Sequence, residues 1–169
     1  MFQVQVKLLL GCNSFIKKRR KGNIVQEVIM ELAWTKELSI GNATIDSDHK
    51  KLIDMTNRIR HEIRAANGSA LSQAFERLES WLPVHFTNEE QIVRAVHFPL
   101  DQHKLAHQYS MRELQYLRNE LVSKDGIWSE GAVEHFCRSM ENWAIEHITK
   151  MDIQMKLALQ AYSYDFQPG

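Results

Sequence analysis

The sequence has little of the residues that crosslink or interrupt a chain. Its 169 residues include only two cysteines, three prolines and seven glycines. The two cysteines, Cys12 and Cys137, form neither a disulfide framework nor a thiolate metal site, which favours a reducing, cytoplasmic location. The scarcity of proline and glycine is typical of a mostly helical protein.

Long apolar runs and net charge are also absent. No apolar run approaches the ~20 residues of a membrane-spanning helix, so we expect no membrane partner. The 21 basic and 21 acidic residues give a formal charge of zero. We therefore expect no nucleic-acid partner, because phosphate binding needs a basic surface. The length is sufficient for one domain with a sizeable core.

Residues 1–30 differ in composition from the rest. A short apolar run precedes the basic cluster Lys17 to Lys21, which is the reverse of the order in a secretory signal. Met30 stands just before the domain and is a candidate for the native start. We interpret residues 1–30 as an N-terminal extension that is disordered or not native, and we expect residues 1–29 to be dispensable for the fold.

Apolar residues at alternating steps of three and four predict four amphipathic helices. We place their bounds at residues 47–66, 70–96, 100–122 and 129–162. Asp46 is the expected N-cap of the first helix, and Pro99 marks a tight corner after the second. The fold class is therefore predicted as all-α: an antiparallel up-down four-helix bundle over residues 31–163, with an extended N-terminal arm and a frayed tail at 164–169.

Side chains that can bind a metal stand within the inward stripes of these helices. A helical step of four places His85 near Glu89, and His103 near His107. One buried histidine is typical of a hydrogen-bonded core residue, but several polar groups at matching depth favour a metal site, since each costs several kcal/mol (order of magnitude) when unpartnered. The candidate ligands are His49, His85, Glu89, His103, His107, His147 and Asp152.

The donor types restrict the metal. Imidazole and carboxylate without thiolate suit iron, manganese or zinc. Seven donors exceed the six of one octahedral ion, which favours two metals. Asp152 follows His147 by five residues, a rotation of about 140° on an α-helix, so we expect these two to flank the inward stripe and Asp152 to reach the second metal. His61, His97 and His135 lie off the stripes and are expected to face solvent.

This pattern resembles that of the hemerythrin family, specifically a bacterial hemerythrin-like domain, over about residues 31–160. The matching pieces are IDSDH at 45–49, HFTNEE at 85–90, HKLAH at 103–107, WAIEH at 143–147 and Asp152. Glu90 and Asp48 adjoin candidate ligands, and either a hydrogen-bonding role toward them or a solvated role remains open.

The resemblance implies two iron ions with a bridging hydroxide or oxide. One iron would be held by His103, His107 and His147. The other would be held by His49 and His85 and would keep a vacant position, where O2 binds reversibly in that family. Glu89 and Asp152 would bridge the two. The apolar O2 pocket is expected to be formed by Phe86, Trp143, Ala144 and Ile148, with Ala144 standing where the family often carries leucine.

We therefore expect reversible O2 binding at a non-haem di-iron centre, in a carrier, store or supplier of O2 that is not an enzyme. Neutral imidazoles stabilise ferrous iron, and the sequence lacks the Glu-x-x-His pairs of ferritin-like oxygenases. Two alternatives stay open: an O2 or redox sensor acting through a separate partner, and a di-iron peroxidase or nitric-oxide-handling enzyme. An oxidase or a signalling protein is the expected recipient, and the oligomeric state is left open.

Overall fold

A computed structural model describes residues 15–20, 23–28, 31–124 and 126–168. It contains four long helices, which we label α1 Ala43–Ala65, α2 Gly68–Ala95, α3 Leu100–Val122 and α4 Glu130–Glu146. A short helix, α5 Lys156–Leu159, follows near the C-terminus. Within the N-terminal extension, β1 Phe15–Arg20 and β2 Asn23–Val28 pair as antiparallel strands. The expected extended arm thus contains a hairpin, while residues 1–14 lie outside the described residues.

The four helices form the expected bundle. Helix α1 packs against α2 and α4, and α3 packs against the same two helices. Short connections make sequential helices antiparallel neighbours, so the all-α fold class is confirmed. Among the described residues, no helix is both long enough and apolar enough to cross a bilayer.

The start of α1 differs from the expectation. The side chain of Asn42 is the N-cap and accepts hydrogen bonds from the backbone N–H groups of Thr44 and Ile45. Asp46, the expected cap, lies inside the helix and is fully buried. It accepts from Ser39 Oγ and from the backbone N–H of Ile40. Its carboxylate therefore fastens the lead-in segment to α1, a role that the preference of aspartate for caps does not reveal.

The corner between α2 and α3 is closed by a left-handed residue. His97 has φ of 57°. Its N–H donates to the Arg94 carbonyl at 3.2 Å, and the next N–H, of Phe98, donates to the Val93 carbonyl at 3.1 Å. These two bonds satisfy carbonyls that the helix end leaves free. Pro99 then precedes α3, so the tight corner expected there is present.

Two apolar clusters fill the bundle, and the polar stripe residues lie between them along the helices. On α1, His49 separates Ile45 of one cluster from Leu52 of the other; on α2, Glu89 separates Ile92 from Phe86. The candidate site is therefore closed by hydrocarbon on both sides along the bundle axis. That environment strengthens every electrostatic interaction within it.

The C-terminal tail is held in place, which corrects the expectation that it is frayed. The N–H of Ala43 donates to the Tyr164 carbonyl at 2.7 Å. Asn42 Nδ2 donates to the Phe166 carbonyl at 2.9 Å. The first N–H groups of a helix need acceptors; the tail supplies one to the N–H of Ala43 and a second acceptor to the side-chain amide of the cap residue Asn42.

Candidate metal centre

All seven candidate ligands converge in the middle of the bundle, and all are buried. Their donor atoms form two overlapping clusters, each with its atoms within 4.8 Å of one another. The first cluster contains His49, His85, Glu89, His147 and Asp152. The second contains Glu89, His103, His107 and Asp152. Because Glu89 and Asp152 belong to both, the two carboxylates are placed where bridging ligands of a two-metal site would lie.

Glu89, on α2, presents its two oxygens to histidines of three helices. Its Oε2 lies 3.1 Å from His107 Nε2 and 3.6 Å from the Nε2 atoms of both His85 and His103. Its Oε1 lies 3.5 Å from His49 Nε2. The carboxylate therefore occupies the centre of the histidine set.

Asp152 enters from the opposite side. Its Oδ2 lies 3.0 Å from His49 Nε2 and 3.1 Å from His147 Nε2. Its Oδ1 lies 3.8 Å from His103 Nε2. Asp152 thus presents Oδ2 to histidines of the first cluster and Oδ1 to a histidine of the second.

The approach of Asp152 to His147 depends on a change of helix type. Over His147–Met151 the chain is a π-helix, and over Asp152–Met155 it is a 3₁₀ helix. The N–H of Asp152 donates to the His147 carbonyl, the five-residue hydrogen bond that defines a π turn. Residues five apart are thereby stacked on one face. The expected divergence of about 140° between these side chains, which holds for an α-helix, is therefore wrong.

The ring of His147 lies between the two histidine sets. Its centroid is 5.5 Å from that of His85 and 5.6 Å from that of His107. Its Nε2, however, lies 3.2 Å from His85 Nε2. By donor-atom distance His147 falls in the cluster of His49 and His85, whereas the resemblance implies that it shares an iron with His103 and His107. The π turn directs its Nε2 alongside Asp152 Oδ2.

The donor atoms fit a metal because many of them have no other partner. Both oxygens of Glu89, one oxygen of Asp152 and the Nε2 atoms of His103 and His107 are buried without a hydrogen bond. A buried polar atom without a partner costs about 1–3 kcal/mol. Five such atoms facing one another need a cation or protons, and three hard carboxylate oxygens among imidazoles suit iron, manganese or zinc.

Titration within the cluster shows the same need for positive charge. Burial raises the pKa of Glu89, but the surrounding histidines, His85 foremost, hold it well below its usual range. Burial lowers the pKa of His49, yet Asp152 and Glu89 outweigh it and raise that pKa to about 10. Burial dominates at His147 and lowers its pKa to about 4. Glu89 thus stays ionised, and Asp152 and Glu89 together hold a proton on His49, which a metal would displace on binding.

Two further carboxylates face the outer nitrogens of the histidines. Asp48 Oδ2 lies 3.4 Å from His85 Nδ1, and Glu90 Oε1 lies 4.0 Å from His107 Nδ1. An acceptor at Nδ1 fixes the tautomer that leaves Nε2 free to bind a metal. Asp48 is placed for that role, whereas the Glu90 distance exceeds a hydrogen bond.

Aromatic rings fix two of the histidines. Trp81 stacks on His85 with ring centroids 5.0 Å apart and planes 10° apart. Phe86 stacks on His107 at 3.9 Å and 12°. Trp81 was not among the predicted site residues, although its position four residues before His85 on α2 is a signal that could have identified it.

The four residues expected to form an O2 pocket are buried in the larger apolar cluster. Trp143 is oriented by a hydrogen bond from Nε1 to the Ser110 carbonyl at 2.9 Å. The side chain of Ala144 is fully buried. The remaining histidines, His61, His97 and His135, are exposed as predicted.

Comparison with known proteins agrees with this geometry. The model of the hemerythrin HHE cation binding domain matches residues 40–158. A bacteriohemerythrin of Stenotrophomonas maltophilia is 24% identical over 144 residues, which is 82% of this chain and 90% of that protein. A bacteriohemerythrin of Pseudomonas aeruginosa is 22% identical over 122 residues, covering 72% of this chain and 76% of the relative. One of Clostridium acetobutylicum is 21% identical over 124 residues, covering 70% and 94%.

Proposed function

Because the chain belongs to the hemerythrin family, we propose that it binds O2 reversibly at a non-haem di-iron centre. The observation that carries the proposal is the convergence of seven buried donors, five imidazoles and two carboxylates, on one point of the bundle. Four of the five unpartnered donor atoms belong to Glu89, His103 and His107. A metal would satisfy these atoms together.

In this proposal the five histidines, Glu89 and Asp152 would hold two irons together with a hydroxide or oxide, the two carboxylates being shared between them. A ferrous pair supplies the electrons that make O2 binding strong yet reversible. The chain supplies the positions: α1, α2 and α3 project their ligands from regular helices, and the π turn after α4 adds His147 and Asp152. Bridging is supported by the membership of both carboxylates in both clusters.

The surroundings favour binding of O2 over its activation. The donor set is richer in imidazole than in carboxylate, which stabilises the reduced metal. Phe86 lies against three of the histidine rings, with centroids 5.4 Å from His85, 3.9 Å from His107 and 5.6 Å from His147. Apolar side chains of this kind keep water and protons from bound oxygen. We propose that Phe86, Trp143, Ala144 and Ile148 form this wall.

On this proposal the protein is an O2 carrier, store or supplier in the cytoplasm and not an enzyme. The buried carboxylates and imidazoles of the site are all assigned to metal binding. A role in sensing or delivery would need a separate signalling protein or oxidase as recipient.

The test is the iron content and the visible spectrum of the purified protein, measured with and without O2. We expect two irons per chain and a spectrum that changes on addition of O2 and reverts on its removal. A protein that holds a single zinc ion would contradict the di-iron centre. A di-iron protein that is oxidised irreversibly by O2 would contradict reversible binding and favour the enzymatic alternative.

A further inference from the structure

A surface cleft of about 450 Å³ adjoins the centre on the side of α2 and α3. Its lining includes Phe86, Glu90, Lys104 and His107. His107 therefore belongs both to the cleft and to the ligand cluster. His107 and His103 are the least buried of the seven candidate ligands: His107 is 3% exposed and His103 is 5% exposed, while the other five are fully buried. The cleft thus reaches one of the two candidate ligands that are in contact with solvent.

The ring of His107 connects the cleft to the centre through its two nitrogens. The inner one, Nε2, lies 3.1 Å from Glu89 Oε2. The outer one, Nδ1, is buried and has no hydrogen-bond partner. Glu90 Oε1 lies 4.0 Å from this nitrogen. This separation is less than two metal–ligand bonds of about 2.1 Å each, so one divalent ion can contact both atoms.

Glu90 is placed to meet ions arriving from solvent. Its side chain keeps 25% of its exposure, and its second oxygen, Oε2, lies 3.0 Å from Lys104 Nζ. The Lys104 side chain is 41% exposed, so this ion pair is solvated and easily exchanged. An arriving divalent cation competes with the lysine for the carboxylate.

We propose that Glu90 Oε1 and His107 Nδ1 form an outer capture site through which a divalent metal ion enters and leaves the centre. Glu90 takes the ion from the cleft as Lys104 moves away, and His107 offers it a second donor at the wall of the centre. The inference depends on the metal centre of the proposed function, but not on O2 binding. A capture site on the exchange route speeds entry and exit equally and leaves the affinity unchanged.

The experiment uses the metal-free full-length protein with Co²⁺ as the probe, because its visible absorption changes on coordination. Uptake is followed by stopped flow, loss is followed after addition of EDTA, and the affinity is measured by competition. We expect Glu90→Gln to slow both uptake and loss by roughly tenfold, with an affinity within about twofold of the wild type. Lys104→Gln should accelerate both. Glu113→Gln, which neutralises an exposed carboxylate on α3 outside the cleft lining, is the control for the loss of one negative charge and should change neither rate.

The outcomes separate this inference from the proposed centre. A Glu90→Gln protein with a weakened Co²⁺ affinity and an unchanged uptake rate would mean that Glu90 only positions His107. Unchanged rates together with an unchanged affinity would mean that the ion enters elsewhere. Either result overturns the inference. If Glu90→Gln does not fold, Lys104→Gln decides, and an unchanged uptake rate there overturns it. A wild-type protein that takes up no Co²⁺ overturns the metal centre itself.

Discussion

The pairs His103–His107 and His147–Asp152 bring two donors together by different means. On α3 the step of four residues suffices, and the two rings lie with centroids 4.2 Å apart. After α4 the step is five, and a π turn brings His147 Nε2 to 3.1 Å from Asp152 Oδ2. The first pair follows from helical periodicity alone. The second shows that side chains at a fixed spacing converge or diverge according to the type of helix between them.

The irregular pair is held by burial on both sides of the turn. Ile148 within the turn and Met155 after it are fully buried. They belong to the two different apolar clusters of the bundle. A less favourable backbone persists where its surroundings determine it, and here two packed side chains do so. The regular pair needs no such support.

The largest effect on metal binding is expected from removing Glu89, the carboxylate that lies beside both pairs. Glu89→Ala deletes the carboxylate that belongs to both donor clusters. We expect iron affinity to fall by more than roughly 100-fold, since loss of even an outer partner of a metal ligand costs 10–100-fold. Iron content after gel filtration measures this, with Glu113→Gln as a control for charge. A Glu89→Ala protein that keeps two irons would contradict the bridging role.

The next test introduces bulk beside the π turn. Ala144 is fully buried, so Ala144→Leu should destabilise the fold by about 1–3 kcal/mol through overpacking. If Ala144 lines the O2 pocket, the larger side chain should also slow both O2 binding and autoxidation, with two irons retained. Stopped-flow O2 binding, decay of the oxygenated spectrum and thermal melting are the measurements. Unchanged O2 rates in a destabilised protein would place the O2 route elsewhere.

A smaller effect on the free energy of unfolding is expected from removing a hydroxyl group, and it should be larger in the π turn than in the regular helix. Thr149 Oγ1, inside the π turn, donates to the Ile145 carbonyl at 2.6 Å. Ser139 Oγ, in the regular α4, donates to the His135 carbonyl at 3.0 Å. We expect Thr149→Val to cost about 1 kcal/mol of the free energy of unfolding, because this bond helps to hold the turn.

Ser139→Ala is its control and should stay within about 0.5 kcal/mol of the wild type, as is usual for an exposed site. Urea unfolding followed by circular dichroism measures both variants. Equal losses would show that the π turn does not depend on the Thr149 hydroxyl.

The smallest expected effect is a gain in stability, from a substitution at the corner before α3. His97 is exposed and has φ of 57°, a conformation that glycine adopts without strain. His97→Gly should therefore stabilise the protein by up to about 1 kcal/mol. The matched change His61→Gly, in the middle of α1, should destabilise it by about 1 kcal/mol. Chemical denaturation of both proteins is the measurement, and a destabilised His97→Gly would show that the imidazole itself supports the corner.

Regular helices were the predictable part of the molecule. The bounds of α3, Leu100–Val122, coincide with the expected 100–122, because Pro99 and the end of the apolar periodicity mark them clearly. The cap of α1 was misplaced because Asn42 and Asp46 are both good caps, and only the folded structure shows that the Asp46 carboxylate is occupied by Ser39 and Ile40 of the lead-in segment. The tail was misjudged because its contacts are long-range: its backbone carbonyls accept from Ala43 and Asn42, and its Tyr164 and Gln167 side chains donate to Asp46 and Thr44.

The amino-acid sequence by itself determined the four helices, the inward positions of the seven donors and the chemical class of metal that they suit. Hydrophobic periodicity is a local property and fixes which side of each helix is buried. The tertiary structure alone decided the π turn at His147–Met151, the grouping of His147 with His49 and His85, and the cleft that reaches His107. These depend on packing between segments distant in the chain, and a π turn is stable only where that packing holds it in place.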